Sequence, residues 1–313
     1  MTRVPIVFAF DNNLAMPAAV CFYSLLVNAK PTTAYDIYIL HRGGEQLDLS
    51  QVERVMSQFP QSTLTLRDVG AEFDSSFEIR GITTPAYYRL LIPQLIPEHD
   101  KVLYSDVDVI FRDDLTEIYR TDISGYYFGG VNSMSHFDDE LIKYYTRKLQ
   151  IDPSGIIYSG NLLINCKELR EATDVTNRIL KESKGKYRFQ DMDVINVVCK
   201  GHIKYLSPAF CLTNYINKAI VENDSRLRPL WSEKELQTAM DNGIIHYNGQ
   251  KPWKGYCPNF DIWWEYYRKS PIFDEKFYFD FYYRRLNELD ALPFVKRIKI
   301  LARYFVYGRR TNP

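Results

Sequence analysis

The 313-residue sequence predicts an α/β fold on a mainly parallel mixed sheet, with a helical extension at the C-terminal end. Three observations predict it. Short apolar runs alternate with helix-like periods, several of those runs end in a carboxylate, and after about residue 257 the composition turns to dense aromatics and then to bases. We therefore divide the chain into a domain over 1–256 and an extension over 257–313.

Taken in order, residues 6–10 read as a buried strand, 17–28 as a helix, 35–40 as a strand, 50–58 as a helix and 63–68 as a strand. Strands and helices alternating at this spacing favour parallel pairing. A helix is expected at 85–95, strands from 102 and at 127–131, and a charged helix at 137–149. A strand at 162–164 follows Tyr158-Ser159-Gly160-Asn161, then helices at 174–184 and from 191. Gly160 permits close backbone approach to a ligand, and equally suits a plain turn.

In doubly wound sheets, ligands sit beyond the carboxyl ends of the strands. Asp11 and the pair Asp106/Asp108 stand where apolar strands give out. Residues two apart in a strand share a face, so an extended backbone would let Asp106 and Asp108 hold one hard cation, and the cation a phosphate. The same spacing recurs at Asp191-Met192-Asp193, and a strand running into a polar turn explains an isolated pair as well. His246 closes the apolar run 243–245, and Gly249 and Lys251 follow it. That order suits a loop around a pyrophosphate, with Lys251 as a point charge; a structural hydrogen bond is the alternative for His246. Trp253 reads as packing.

Composition narrows the classes. Lys plus Arg equals Asp plus Glu at 39 each, so no global field attracts nucleic acid, and none is expected as a partner. The five cysteines form no C-x-x-C pair, which argues against a zinc site and a disulfide scaffold and points to a reducing compartment. The N-terminal apolar run is too short for a secretory signal, and no stretch is long and apolar enough to span a membrane. No G-x-G-x-x-G follows the first strand, which disfavours a dinucleotide-dependent oxidoreductase.

Six motifs occur in one order: I-V-F-A-F-D-N-N, Y-Y-R-L-L, K-V-L-Y-S-D-V-D-V, S-G-N-L-L-I-N, F-Q-D-M-D-V-I-N and I-I-H-Y-N-G-Q-K-P-W. Over about 4–256 the chain thereby resembles the family 8 retaining glycosyltransferases, which include bacterial lipooligosaccharide galactosyltransferases and glycogenin. The resemblance implies a GT-A fold, a single Rossmann-like domain that binds a UDP-sugar donor, usually UDP-galactose or UDP-glucose, and a bound Mn²⁺, with Mg²⁺ as the alternative. By the same resemblance, Asp106, Asp108 and His246 hold the metal, and Asp11, Asn13, Ile82 and Thr83 contact uracil and ribose. Arg89, Val107, Gly249 and Lys251 fall on the donor and diphosphate side, and Asp191 hydrogen-bonds the donor sugar, so that Asp191 and Lys251 form the catalytic pair. Plainer roles exist beside these: Arg89 pairing with an acid, Asp191 capping its helix, Asp11 ending a turn.

The chain also departs from the pattern. Met192 stands where the family has Gln, Tyr158 where it commonly has Asn, and the His246 loop is one residue shorter between Gly249 and Lys251. A thioether is no glycosyl nucleophile, which favours attack from the face that the leaving group departs and an α-linked product. A catalytically impaired UDP-sugar-binding protein on the same fold is the competing expectation.

The last twenty residues hold six bases and no acid. On a helix from about 293, Val295, Ile298, Leu301, Ala302 and Phe305 share one face, the pattern of an interfacial helix on an anionic membrane; a helix docked on the core with a solvated basic face is the alternative. A lipid-linked glycan acceptor at the cytoplasmic face, as in lipopolysaccharide or capsule assembly, fits such a tail. The expected location is cytoplasmic, peripheral at the inner face of the membrane.

Overall fold

The computed structural model of the chain describes residues 1–44, 46–73, 77–78, 84–287 and 291–307. The expected positions Ile82 and Thr83, and the terminal Arg309 and Arg310, lie outside them. Ten strands are described: β1 (Thr2–Ala9), β2 (Thr33–His41), β3 (Thr63–Asp68), β4 (Lys101–Ser105), β5 (Val109–Ile110), β6 (Phe128–Gly130), β7 (Asn161–Asn165), β8 (Ile203–Tyr205), β9 (Leu212–Thr213) and β10 (Ile245–His246). Seven form one sheet in the order β3-β2-β1-β4-β7-β6-β8, and three form a small sheet in the order β5-β10-β9. In the large sheet β1 pairs parallel with β2 and β4, β2 with β3, and β6 with β8, while β7 runs antiparallel to both its neighbours.

The run of β1 is continuously apolar because both faces of the sheet are covered. Val4, Ile6 and Phe8 pack with Phe22, Leu25 and Leu26 of the Ala15–Val27 helix, whereas Val7 and Ala9 meet Tyr87, Tyr88 and Leu90 on the other face. The helix expected at 85–95 is broken into Pro85–Tyr88, a 3₁₀ turn at Arg89–Leu91 and Ile92–Leu95. Pro93 has no N–H to return to the carbonyl of Arg89, which is why the α pattern cannot run through. The segment expected as a helix at 137–149 is α-helical over Asp139–Lys143, capped by Asp138, and π-helical over Tyr144–Leu149.

Beyond residue 257, the helix Phe260–Lys269 buries Trp263, Trp264 and Tyr267 in the same core as β1. Tyr266 hydroxyl accepts from Asn28 Nδ2 at 2.8 Å. A helix at Phe294–Tyr307 leaves Phe294, Val295, Ile298 and Leu301 exposed. Among the described residues no helix is long and apolar enough to cross a membrane, and all five cysteines are free thiols.

Candidate active site

The two carboxylates of the D-x-D motif do not lie within one strand. β4 ends at Ser105 and β5 starts at Val109, so Asp106 and Asp108 occupy the bend where the chain passes from the large sheet to the small one. Asp106 N–H still donates to Gly160 carbonyl at 2.7 Å, beside β7, while Asp108 carbonyl accepts from Tyr247 N–H at 3.0 Å, beside β10. The antiparallel pairing of β10 with β5 sets His246 opposite Val109, and this register carries the imidazole to the carboxylates. One ligand atom from each of Asp106, Asp108 and His246 lies within 4.8 Å of the others. His246 Nε2 is 3.3 Å from Asp108 Oδ1 and 3.7 Å from Asp106 Oδ2.

Gly160 makes this convergence possible. A Cβ there would lie 2.2 Å from His246 Cε1 and 2.8 Å from Asp106 Oδ2. The residue read as giving approach to a ligand instead gives approach to two of the side chains that could hold one. Two carboxylates and an imidazole form a donor set that could hold a divalent ion.

The charges are arranged to match. Burial would raise the Asp108 carboxyl, but Lys251 and His246 hold it well below the usual carboxylate range. Burial would lower His246, yet Asp108 beside it pushes the imidazole up to about 10. Lys251 Nζ pairs directly with Asp108 and donates to Tyr247 carbonyl at 2.6 Å. Arg89 is buried and bridges two acids: Nη2 donates to Asp106 Oδ1 at 2.9 Å, and Nε lies 3.2 Å from Asp191 Oδ2. Its guanidinium also lies over the Tyr104 ring at 4.3 Å, and Tyr104 hydroxyl donates to the same Asp106 oxygen at 2.9 Å. Asp191 is buried and its carboxyl is raised to about 6 by burial, against the pull of Arg89.

Above these groups opens a cavity of about 540 Å³ at the carboxyl ends of β1 and β4. Asp11, Asn13, Arg89, Asp106, Val107, Asp108 and Lys251 line it, as do Trp253 and Lys254. Trp253 packs on Trp263 with centroids 5.3 Å apart, so it is both core and cavity wall. Asp11 caps a 3₁₀ turn, accepting from Asn13 N–H at 2.9 Å. Asp191 stands behind Arg89 and does not cap its helix, Gln190–Val198, whose N-cap is Phe189. Gly249 is not brought to this cavity and faces a neighbouring groove. Met192 packs with the cluster around Tyr145, Ile151 and Ile156, and Tyr158 hydroxyl reaches Thr213 Oγ1 at 3.5 Å.

Sequence reading missed Tyr104 and Cys211. Tyr104 precedes Asp106 by two residues, a spacing that points at it, but it was absorbed into the apolar run. Cys211 Sγ lies 3.4 Å from His246 Nδ1, a contact made by the pairing of β9 with β10 that no local pattern carries.

The sequence profile of glycosyl transferase family 8 matches residues 5–257, most of the chain, and the chain belongs to that family. A putative glycosyltransferase of Haemophilus influenzae is 25% identical over 211 residues, covering 66% of this chain and 63% of that protein. The lipopolysaccharide 1,2-glucosyltransferase of Escherichia coli K12 is 26% identical over 174 residues, 53% of this chain and 48% of that one. The matches thus span about half to two thirds of these relatives. Among solved structures, an active-site mutant of LgtC superposes with TM-score 0.73 at 26% identity, covering 87% of this chain and 98% of that chain. LgtC has also been solved as a galactosyltransferase in complex with donor and acceptor sugar analogues, with TM-score 0.69 at 25% identity and the same coverage. The mixed α/β architecture is of the GT-A kind found in these neighbours.

Proposed function

We propose that this chain is a retaining hexosyltransferase, moving galactose or glucose from a UDP-sugar to a glycan acceptor with α-linkage in lipopolysaccharide or capsule assembly. The observation that carries the reading is the convergence of Asp106, Asp108 and His246 under a cavity lined by Asp11, Asn13, Arg89 and Lys251. The relatives' own names, a lipopolysaccharide glucosyltransferase and a galactosyltransferase crystallised with donor and acceptor analogues, support the substrate class.

In this reading Asp106, Asp108 and His246 hold Mn²⁺, which when bound supplies the positive charge that a departing diphosphate needs. Lys251, at the cavity wall, adds a second positive charge toward the same phosphate. Asp11 and Asn13 face the nucleoside, and Asp191 takes sugar hydroxyls. Arg89 holds Asp106 and Asp191 in place through its two ion-pair contacts. The acceptor hydroxyl attacks the anomeric carbon as its bond to the phosphate oxygen breaks, and that oxygen takes the proton. Met192, packed into an apolar cluster, leaves the family's Gln position without a nucleophile, in keeping with attack from the departing face.

The C-terminal helix supports a peripheral cytoplasmic location at an anionic membrane. Its exposed Phe294, Val295, Ile298 and Leu301 alternate with Lys296, Arg297 and Lys299.

The test is UDP release from a panel of UDP-sugars with Mn²⁺ or EDTA, beside D106N/D108N. We expect slow hydrolysis of one donor, lost with EDTA and in the variant. Mn²⁺-dependent UDP binding without turnover of any donor, with or without glycan acceptors, would instead favour the catalytically impaired binding protein suggested by Met192.

A further inference from the structure

A second concavity, about 920 Å³, opens beside the active site on the far side of the loop that leaves His246. One wall is the face of the Asn214–Val221 helix that carries Tyr215, Lys218 and Val221; the other is Asn248, Gly249 and Tyr256. Tyr215 is 40% exposed, Tyr256 57% and Val221 69%, so apolar surface stands open among the polar side chains of both walls. The walls are tied together: Asn214 N–H donates to Asn248 Oδ1 at 3.1 Å, and Asn259 Nδ2 donates to Asn217 Oδ1 at 3.1 Å. A Cβ on Gly249 would meet only Asn214 Nδ2, at 3.7 Å, so Gly249 faces open space in the groove, three residues along the chain from His246.

We infer that this groove is a subsite for the outer sugars of an oligosaccharide acceptor, those beyond the ring that carries the attacking hydroxyl. Tyrosine rings present an apolar face to sugar C–H groups and a polar tip to hydroxyls. Asn214, Asn217 and Asn248 also line the groove and bring side-chain amides of the kind that hydrogen-bond sugar hydroxyls. Lys218 and Glu222 stand 3.8 Å apart on the same wall, so their charges offset, which favours a neutral glycan over a phosphate or an acidic lipid. The assignment rests on the transferase reading above and adds acceptor length as a determinant of recognition.

The experiment is an array of neutral mono- to tetrasaccharides probed with the wild-type chain and with Tyr215→Ala/Tyr256→Ala, with Mn²⁺-dependent UDP binding measured by calorimetry on both. We expect the wild type to hold a tri- or tetrasaccharide at least tenfold more tightly than any monosaccharide, and the double variant to lose that preference while UDP binding is unchanged. Longer glycans held equally by the variant, or no length preference in a wild type that binds UDP, would overturn the assignment. Length preference without UDP binding would keep the groove and sink the donor reading, so the two failures are distinguishable.

Discussion

At Gly160 a hydrogen in place of a methyl lets an imidazole and a carboxylate approach each other, and this predicts a sharp phenotype for a small change. Gly160→Ala should lower Mn²⁺ affinity by about 10- to 100-fold, the range for groups that orient metal ligands, with only a modest shift in melting temperature. Calorimetric titration with Mn²⁺ measures it; unchanged affinity would mean that the ligands do not act together. Arg89 is the other residue on which the site depends. Arg89→Ala strands two acids, Asp106 and the buried Asp191, and should cost about 3–5 kcal/mol in denaturant unfolding. At this scale the sequence was legible where chemistry demands particular residue types: Asp106, Asp108 and His246, singled out by pattern, lie together, with Lys251 paired to Asp108. It was silent on Cys211, whose place beside the imidazole depends on strand pairing, and on Tyr104, whose two-residue spacing from Asp106 is hidden inside an apolar run.

Among the elements, the decisive feature is the bend between β4 and β5, which hands the chain from one sheet to the other and leaves both aspartates at the junction. Sequence pattern located the strand giving out at the aspartates but not the bend onto a second strand, because Val107 and Val109 continue the apolar run across it. The small sheet was not legible either, since strands of two residues carry no period. Far from the site, Asp36 on β2 ties three strands together, accepting from Arg3 Nε on β1 at 3.0 Å and from Thr63 Oγ1 on β3 at 2.8 Å. Burial would raise its carboxyl, but the bonds from Arg3 and Thr63 leave it lowered. Because the folded value lies below the unfolded one, the stabilisation is present above the unfolded value, about 3.9 for Asp, and is lost as pH falls through the folded value. Solvent screening holds it under about 1 kcal/mol. Asp36→Asn should therefore be less stable than wild type at pH 7 and level with it under strong acid, as read by urea denaturation at both; a gap independent of pH would contradict the ion pair.

For the whole molecule, a doubly wound sheet could be read from alternating strands and helices because burial on both faces forces continuous apolar runs. The antiparallel insertion of β7 between β4 and β6 could not, since strand order is set by crossovers and not by any local signal. The chain's balanced charge is unevenly placed, with the terminal helix basic and partly apolar on its exposed surface. If that helix lies on an anionic membrane, K296E/R297E/K299E should abolish co-sedimentation with phosphatidylserine vesicles at physiological salt, each basic residue being worth about 1 kcal/mol. Soluble UDP-sugar hydrolysis should be unaffected. Equal vesicle binding by the variant would point to a helix docked by other means.

The measurement that tests the central claim most directly is electron paramagnetic resonance of Mn²⁺ titrated into the chain, with nitrogen hyperfine coupling recorded for the wild type, for His246→Gln and for D106N/D108N. The account predicts one tightly held Mn²⁺ per chain, with a nitrogen coupling that vanishes in His246→Gln, and no tight binding in the double aspartate variant. Mn²⁺ held with the same affinity by D106N/D108N, or an unchanged nitrogen signal in His246→Gln, would contradict it.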